Sequence, residues 1–296
     1  MKQEKNLTVK LVGGLGNQLF GYFAGLACAI NSKRNLLIDM TDVLSPYRSH
    51  SSSIESFDIP FEFTQRELQN RYVEKLKAHF TLGIQKVEFL EKCTSEYRSP
   101  VVGFDEEILD RNFRKRIISG YFQSYRYHDA CPRHLAQIAL KRPSIWFREM
   151  KCLLSSNSIG VLHVRRGDYK KFRNVHGLLS RDYYERAIEM VEGSLEIDKY
   201  LIFSDDVSDA KNSLGSFSEK FEFISPPIGS DPAETLLLMS FASANIIANS
   251  TFSWWSAKLS TSTKIVVAPK EWFAGKKEPL DLYPREWQKV SSAWID

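Results

Sequence analysis

Apolar residues fall along this chain in two rhythms: short unbroken runs, and longer stretches that recur every three to four positions. The first rhythm predicts buried strands and the second amphipathic helices. Residues 9–13 (VKLVG) read as a short strand, and Gly13-Gly14-Leu15-Gly16 as a flexible turn. Asn17 opens a helical pattern in which Leu19, Phe20, Phe23, Ala27 and Ile30 share one face. Asn35–Asp39 (NLLID) reads as a second strand, completing a strand–turn–helix–strand unit. Residues 40–110 are less legible, with a loop over 49–53 and a charged helix over 64–79. Residues 116–123 (RIISGYFQ) return to strand character, and residues 132–152 predict helix between two halves.

The second half is more regular. A turn at 155–157 leads into a strand over 159–164 (IGVLHV) that ends at Arg165 and Arg166. A helix over 181–192 follows, then a strand over 200–203 (YLIF) ending at Ser204-Asp205-Asp206. Asp231-Pro232-Ala233-Glu234 has the form of a helix start, with Asp as cap and Pro in the first turn. That helix is expected to run to about residue 243. A strand over 244–248, a cap at Asn249-Ser250, a helix over 251–260 and a strand over 264–268 complete the pattern. Strands alternating with helices imply an α/β fold with parallel sheets and right-handed crossovers. At 296 residues the chain suits two domains, or one large one.

Composition narrows the function classes. The net charge of +4 suits an anionic ligand such as a nucleoside diphosphate but is too small for a nucleic-acid surface. Cys28, Cys93, Cys131 and Cys152 form no C-x-x-C pair, so they read as reduced thiols of a cytosolic protein rather than as metal ligands. The N-terminus has no secretory-signal pattern. No apolar run approaches the ~18 residues of a spanning helix, so any membrane contact is expected to be peripheral.

Ligands of open α/β sheets bind beyond the carboxyl ends of strands, which directs attention to three clusters. His163 and Arg165 are expected on one face of their strand and Arg166 on the other. Arg165 offers a two-point fork to phosphate oxygens, or else an ion pair to Asp168 or another carboxylate. Asn249, Ser250, Thr251 and Ser253 gather at a helix start, which is an anion seat or simple capping by Ser250. Trp254 and Trp255 pack on the sheet or stack on a sugar. Asp205 and Asp206 accept from a base or ribose, hold a metal, or form a solvated turn, with metal the weakest of these. The first unit imitates a dinucleotide fingerprint through Gly14, Gly16 and Asp39. Leu19 stands where the third glycine belongs, so a close glycine contact between helix and strand is not expected.

These segments together resemble the α-1,2-fucosyltransferase family. The pieces are LVGGLGNQLFGYFAGLA (11–27), SGYFQSYRYH (119–128), GVLHVRRGDY (160–169), LIFSDD (201–206), IIANSTFSWWSAKL (246–259) and DLYPREWQKV (281–290), in the family's order. One departure is Gly21, where the family commonly has Gln. The resemblance implies two Rossmann-like domains facing a cleft (GT-B type). The expected boundaries are an acceptor-side domain over 1–152, a GDP-fucose-binding domain over 153–270, and a final segment over 271–296 packing back across the domains. It further implies an inverting transfer from GDP-β-L-fucose to a β-galactoside, an oligosaccharide or lipid-linked glycan, with no metal and no cofactor. Arg165 would bind the diphosphate and His163 the nucleotide. Asp205 would contact base or ribose, while Asn249, Ser250, Thr251 and Phe252 would hold phosphates and the nucleotide edge. Asn17 would reach donor phosphate or sugar across the cleft. Asp168 is the candidate general base, or else the group that orients Arg165. The expected setting is cytoplasmic assembly of a surface polysaccharide, at the inner membrane face if anywhere on a membrane. The rivals are a transferase of another donor or linkage, an inactive glycan- or nucleotide-binding module and, on the first unit alone, a dehydrogenase.

Overall fold

The computed structural model describes residues 6–44, 54–59, 62–63, 96–135, 137–156, 158–215 and 219–295. The loop expected over 49–53 and the helix expected over 64–79 lie outside these residues. The chain forms two compact units, Met1–Ser52 with Ile59–Pro132, and Ser53–Asp58 with Arg133–Asp296. No helix among the described residues is long and apolar enough to cross a membrane.

The first unit is a parallel sheet of β1 (Asn6–Lys10), β2 (Asn35–Asp39), β3 (Glu62–Phe63), β4 (Glu96–Arg98) and β5 (Ile117–Ser119), in the order β3-β2-β1-β5-β4. Helix α1 (Leu15–Ser32) begins two residues earlier than the pattern suggested, so Asn17 sits in its first turn. It is also buried on nearly all sides, not along one stripe. A close helix–strand glycine contact does exist, contrary to expectation, but it comes from Gly25. A Cβ there would stand 2.8 Å from Cγ1 of Val9 on β1. The strand expected at 9–13 lies three residues earlier, because register with β2 pairs Asn6 with Asn35 and Lys10 with Asp39.

The second unit is a six-stranded parallel sheet: β6 (Ile159–Val164), β7 (Lys199–Ser204), β8 (Phe221–Phe223), β9 (Ala244–Ile246), β10 (Ile265–Pro269) and β11 (Gln288–Val290). Their order, β11-β10-β9-β6-β7-β8, is the doubly wound Rossmann order 3-2-1-4-5-6. All six residues of β6 are buried, as a central strand covered on both faces requires. The helices of two turns or more are α2 (Ile145–Ser156), α3 (Arg181–Glu192), α4 (Val207–Leu214), α5 (Pro232–Met239) and α6 (Thr251–Leu259). Tyr183, Tyr184, Ala187 and Val191 of α3 pack into the core with Leu162, Ile202, Ile246 and Val267 from the strands.

Asp231 caps α5 by accepting from the Ala233 N–H at 2.9 Å. That helix stops at Met239, short of 243. Glu234 reaches elsewhere: it accepts from the N–H (2.6 Å) and hydroxyl (2.8 Å) of Ser144, just before α2. The helix expected over 132–152 is interrupted, because Pro143 disfavours helical backbone at its predecessor. Helix α2 packs on α5 inside the second unit, so the division falls after Pro132 where the sequence suggested 152. The last segment also belongs to this unit, with β11 paired to β10 and the Ser180 N–H bound to the Ala293 carbonyl at 2.7 Å. Each unit thus has the α/β parallel-sheet class expected of a GT-B chain.

Candidate functional site

In the second sheet β6 has β7 on one side and β9 on the other, so the connections leave β6 and β9 in opposite directions. That reversal is the topological switch point, where doubly wound sheets open a crevice at strand carboxyl ends. Arg165 follows β6 there, and Asn249-Ser250 follow β9.

Arg165 is pinned by two carboxylates. Its Nη1 lies 3.0 Å from Asp205 Oδ2, its Nη2 bonds Asp168 Oδ1, and its guanidinium lies 5.0 Å from the Tyr169 ring centroid. Asp205 is itself fixed, accepting from the Arg166 N–H at 2.8 Å. A Cβ on Gly167 would stand 2.2 Å from Asp205 Oδ2, so glycine is what lets the carboxylate come so near. Arg166 turns the other way and is fully buried, donating to the Leu179 carbonyl (2.9 Å) and the Ser213 hydroxyl (2.8 Å). Asp206 forms a structural turn: it caps α4 through the Asp209 N–H (3.0 Å) and pairs with Lys170 (2.9 Å).

His163 is buried at the end of β6, its ring centroid 5.7 Å from that of Phe252. Burial first, and the Arg165 cation second, push its pKa down from 6.5 to about 3. It is therefore a neutral hydrogen-bonding and stacking surface, not a cation for phosphate. The unfolded chain takes up this proton as pH falls below the ordinary value, while the folded chain resists until about 3. Folding stability is consequently lost as pH drops across that window. The expected NMR result is a His163 ring signal that stays at its neutral position from about pH 8 to about pH 5, where an ordinary histidine titrates.

Ser250 has extended backbone angles (φ −133°, ψ 126°) and its hydroxyl makes no capping hydrogen bond. Simple side-chain capping is thus not what this serine does, and its hydroxyl does not close off the first-turn amides of α6. Such amides, with the helix dipole behind them, suit an anion. Thr251 and Phe252 are partly exposed beside it. The Asn249 amide donates to the carbonyls of His176 (2.6 Å) and Trp272 (3.3 Å) and so ties two loops together. Trp254 and Trp255 are fully buried, with Trp254 donating to the Leu282 carbonyl at 3.0 Å, so they are core and not a sugar platform.

The second unit therefore brings together His163, Arg165, Asp168, Asp205, Asn249, Ser250, Thr251 and Phe252. Asn17 belongs to the first unit, whose own switch point lies between β1 and β5. There its Oδ1 accepts from Gln123 Nε2 at 2.9 Å, while Gln18 Nε2 holds the Gly13 carbonyl at 3.0 Å. Asp39 turns back on Thr41, accepting its N–H at 2.9 Å. Sequence reasoning assigned nothing to Gln123, Tyr169 or His176. Tyr169 stands inside a recognisable segment, yet its hydroxyl bonds the Asn249 carbonyl, 80 positions away, at 3.0 Å. No spacing rule exposes such a bond.

Known proteins match along nearly the whole chain. The family model "Glycosyl transferase family 11" fits residues 1–291. An alpha-1,2-colitosyltransferase of Escherichia coli is 27% identical, over 96% of this chain and 98% of its own. The O-antigen biosynthesis glycosyltransferase WbnK of Escherichia coli is 29% identical over 90% and 95%. A galactoside 2-alpha-L-fucosyltransferase of Caenorhabditis elegans is 24% identical over 98% and 78%. Among solved structures, NodZ alpha-1,6-fucosyltransferase soaked with GDP-fucose has a TM-score of 0.55 at 14% identity, covering 90% of this chain and 96% of its own. The fucosyltransferase NodZ from Bradyrhizobium gives 0.52 at 15% identity, over 86% and 94%. With a family model spanning nearly every residue, this chain belongs to glycosyltransferase family 11.

Proposed function

We propose that this glycosyltransferase moves L-fucose from GDP-β-L-fucose to the 2-hydroxyl of a terminal galactose, with inversion and without a metal ion. One observation carries the reading: Arg165 and the α6 N-terminus, uncapped by Ser250, occupy the two sides of one switch point. A two-point cation and a row of main-chain amides form a seat for a diphosphate. The α-1,2 linkage named for the colitosyltransferase and the galactoside 2-fucosyl activity named for the nematode relative support the bond formed. The GDP-fucose soaked into NodZ supports the donor. The O-antigen relative supports a surface polysaccharide as product. A galactoside acceptor, a cytoplasmic site of action and at most peripheral membrane contact complete the reading.

In this reaction the acceptor oxygen attacks the anomeric carbon from the face opposite GDP. The carbon–oxygen bond to the β-phosphate breaks, and its electron pair stays on the phosphate. The acceptor proton passes to a base or to solvent. Charge grows on the departing GDP, and Arg165 with the α6 amides meets it in a preorganised way. Asp168 serves this reaction by orienting Arg165, since its carboxylate is already bound to that guanidinium. His163 and Phe252 line the nucleotide side.

The test is purified protein with GDP-fucose, the matching colitose nucleotide and a panel of β-galactosides, with and without EDTA, followed by linkage analysis. The expected result is acceptor-dependent GDP release from GDP-fucose, a 1,2-linked product, and a rate unchanged by chelation. Preference for the colitose donor would reassign the donor sugar. Activity that disappears with EDTA and returns with magnesium or manganese would reassign the charge-neutralising role. Nucleotide binding without turnover would indicate an inactive binding module.

A further inference from the structure

Three contacts close a ring around the switch point of the second unit. The Tyr169 hydroxyl donates to the main-chain carbonyl of Asn249 at 3.0 Å. The Asn249 side-chain amide donates to the main-chain carbonyl of His176 at 2.6 Å. The His176 ring stacks on the Tyr169 ring, with centroids 4.5 Å apart and planes 17° from parallel. The ring has two outward consequences. Tyr169 also carries the Arg165 guanidinium 5.0 Å from its centroid, and Asn249 immediately precedes Ser250, the N-cap of α6. The closed circuit thus joins the segment that follows β6 to the segment that follows β9.

We propose that Tyr169 is a positioning residue, whose hydroxyl bond to Asn249 fixes the spacing between the Arg165 guanidinium and the N-terminal amides of α6. The proposal rests on the reading of those two groups as the diphosphate seat. A leaving diphosphate is bridged by both groups at once, and its charge grows most in the transition state. A loosened spacing therefore lowers turnover more than it weakens ground-state binding. Tyr169 acts through Arg165, on one side of its ring, and through Asn249, at its hydroxyl. His176 supports it by stacking on its ring, and its main-chain carbonyl keeps Asn249 in place.

The experiment compares Tyr169→Phe, Tyr169→Leu, Arg165→Ala and the Tyr169→Phe/Arg165→Ala pair. For each, kcat and donor KM are measured with GDP-fucose, GDP affinity by calorimetry, and Tm by thermal unfolding. Tyr169→Phe keeps the ring and its stacking and loses one hydrogen bond. The expected result is a kcat lower by roughly three- to tenfold, the worth of one such bond, with a smaller change in KM and in GDP affinity. Tyr169→Leu, which also loses the stacking and the cation–π contact, is expected to fall further by about threefold or more. The decisive readout is non-additivity. On the Arg165→Ala background, Tyr169→Phe should cost less than about twofold, because the group through which it acts is gone. A merely structural role would lower both backgrounds by the same factor, and that outcome overturns the proposal. So does a Tyr169→Phe enzyme with unchanged kcat. If Arg165→Ala itself retains turnover and GDP affinity, the diphosphate seat has been misplaced, which is a separate failure. Should Tyr169→Leu fail to fold, Tyr169→Phe and the pair still decide the matter.

Discussion

Replacing Arg165 with alanine is expected to lower turnover at saturating donor by roughly 10²–10³-fold, the size seen when one preorganised donor to a developing oxyanion is deleted. The physical case starts from the clamp. Asp205 and Asp168 hold the two terminal nitrogens of the guanidinium, and Tyr169 lies against its face. The orientation cost is therefore met before substrate arrives, and the cation needs little rearrangement as the phosphate charge grows. Arg165→Lys is expected to recover little, because an ammonium on a flexible stem cannot span the same two points. The loss should fall mainly on kcat, since the interaction strengthens as the bond breaks. Steady-state kinetics with GDP-fucose over a range of concentrations check this. Near-normal kcat in Arg165→Ala would show that the departing nucleotide is neutralised elsewhere.

The adjacent arginine should behave in the opposite way. Arg166 is fully buried, donates to the Leu179 carbonyl and the Ser213 hydroxyl, and lies 3.3 Å from Asp209. Arg166→Ala removes both hydrogen bonds, leaves a buried carbonyl without that donor, and opens a void beneath the strand end. Hydrogen bonds from a charged donor contribute about 1.5–3 kcal/mol each, and broken buried pairs cost about 3–5 kcal/mol. Because Asp209 is partly exposed, a loss of about 3 kcal/mol of folding stability is expected. Urea unfolding checks it, as a lowered midpoint with an unchanged slope. Arg165→Ala should move that midpoint far less, since its side chain is partly exposed and its partners reach solvent. On the proposed reading, two neighbouring arginines divide between chemistry and stability, in line with the strand alternation that sets them on opposite faces.

The parts of this protein legible in the sequence are those that local periodicity encodes. The strand at Ile159–Val164, the helix at Arg181–Glu192 and the Asp231 cap all appear where the pattern puts them, because each depends on a few consecutive side chains. Strand ends carrying Arg165 and Ser250 were legible for the same reason. The early start of α1 was less so, since there packing against the sheet decides the boundary, whereas the break in the helix expected over 132–152 is local and follows from Pro143.

By itself, then, the sequence determined an α/β chain with two parallel sheets, the motif segments of its family, and the strand ends at which chemistry would gather. Only the tertiary structure decided which of those groups touch. It placed β6 beside β9, turned Arg166 inward, fixed Asp205 against Gly167, left the Ser250 hydroxyl out of the cap, and joined Tyr169 to Asn249. The physical reason is range. Periodicity and capping act over three or four residues, whereas the contacts that tie Arg165 to Asp205 and Tyr169 to Asn249 connect positions 40 and 80 apart, and only the finished sheet order brings those positions within reach.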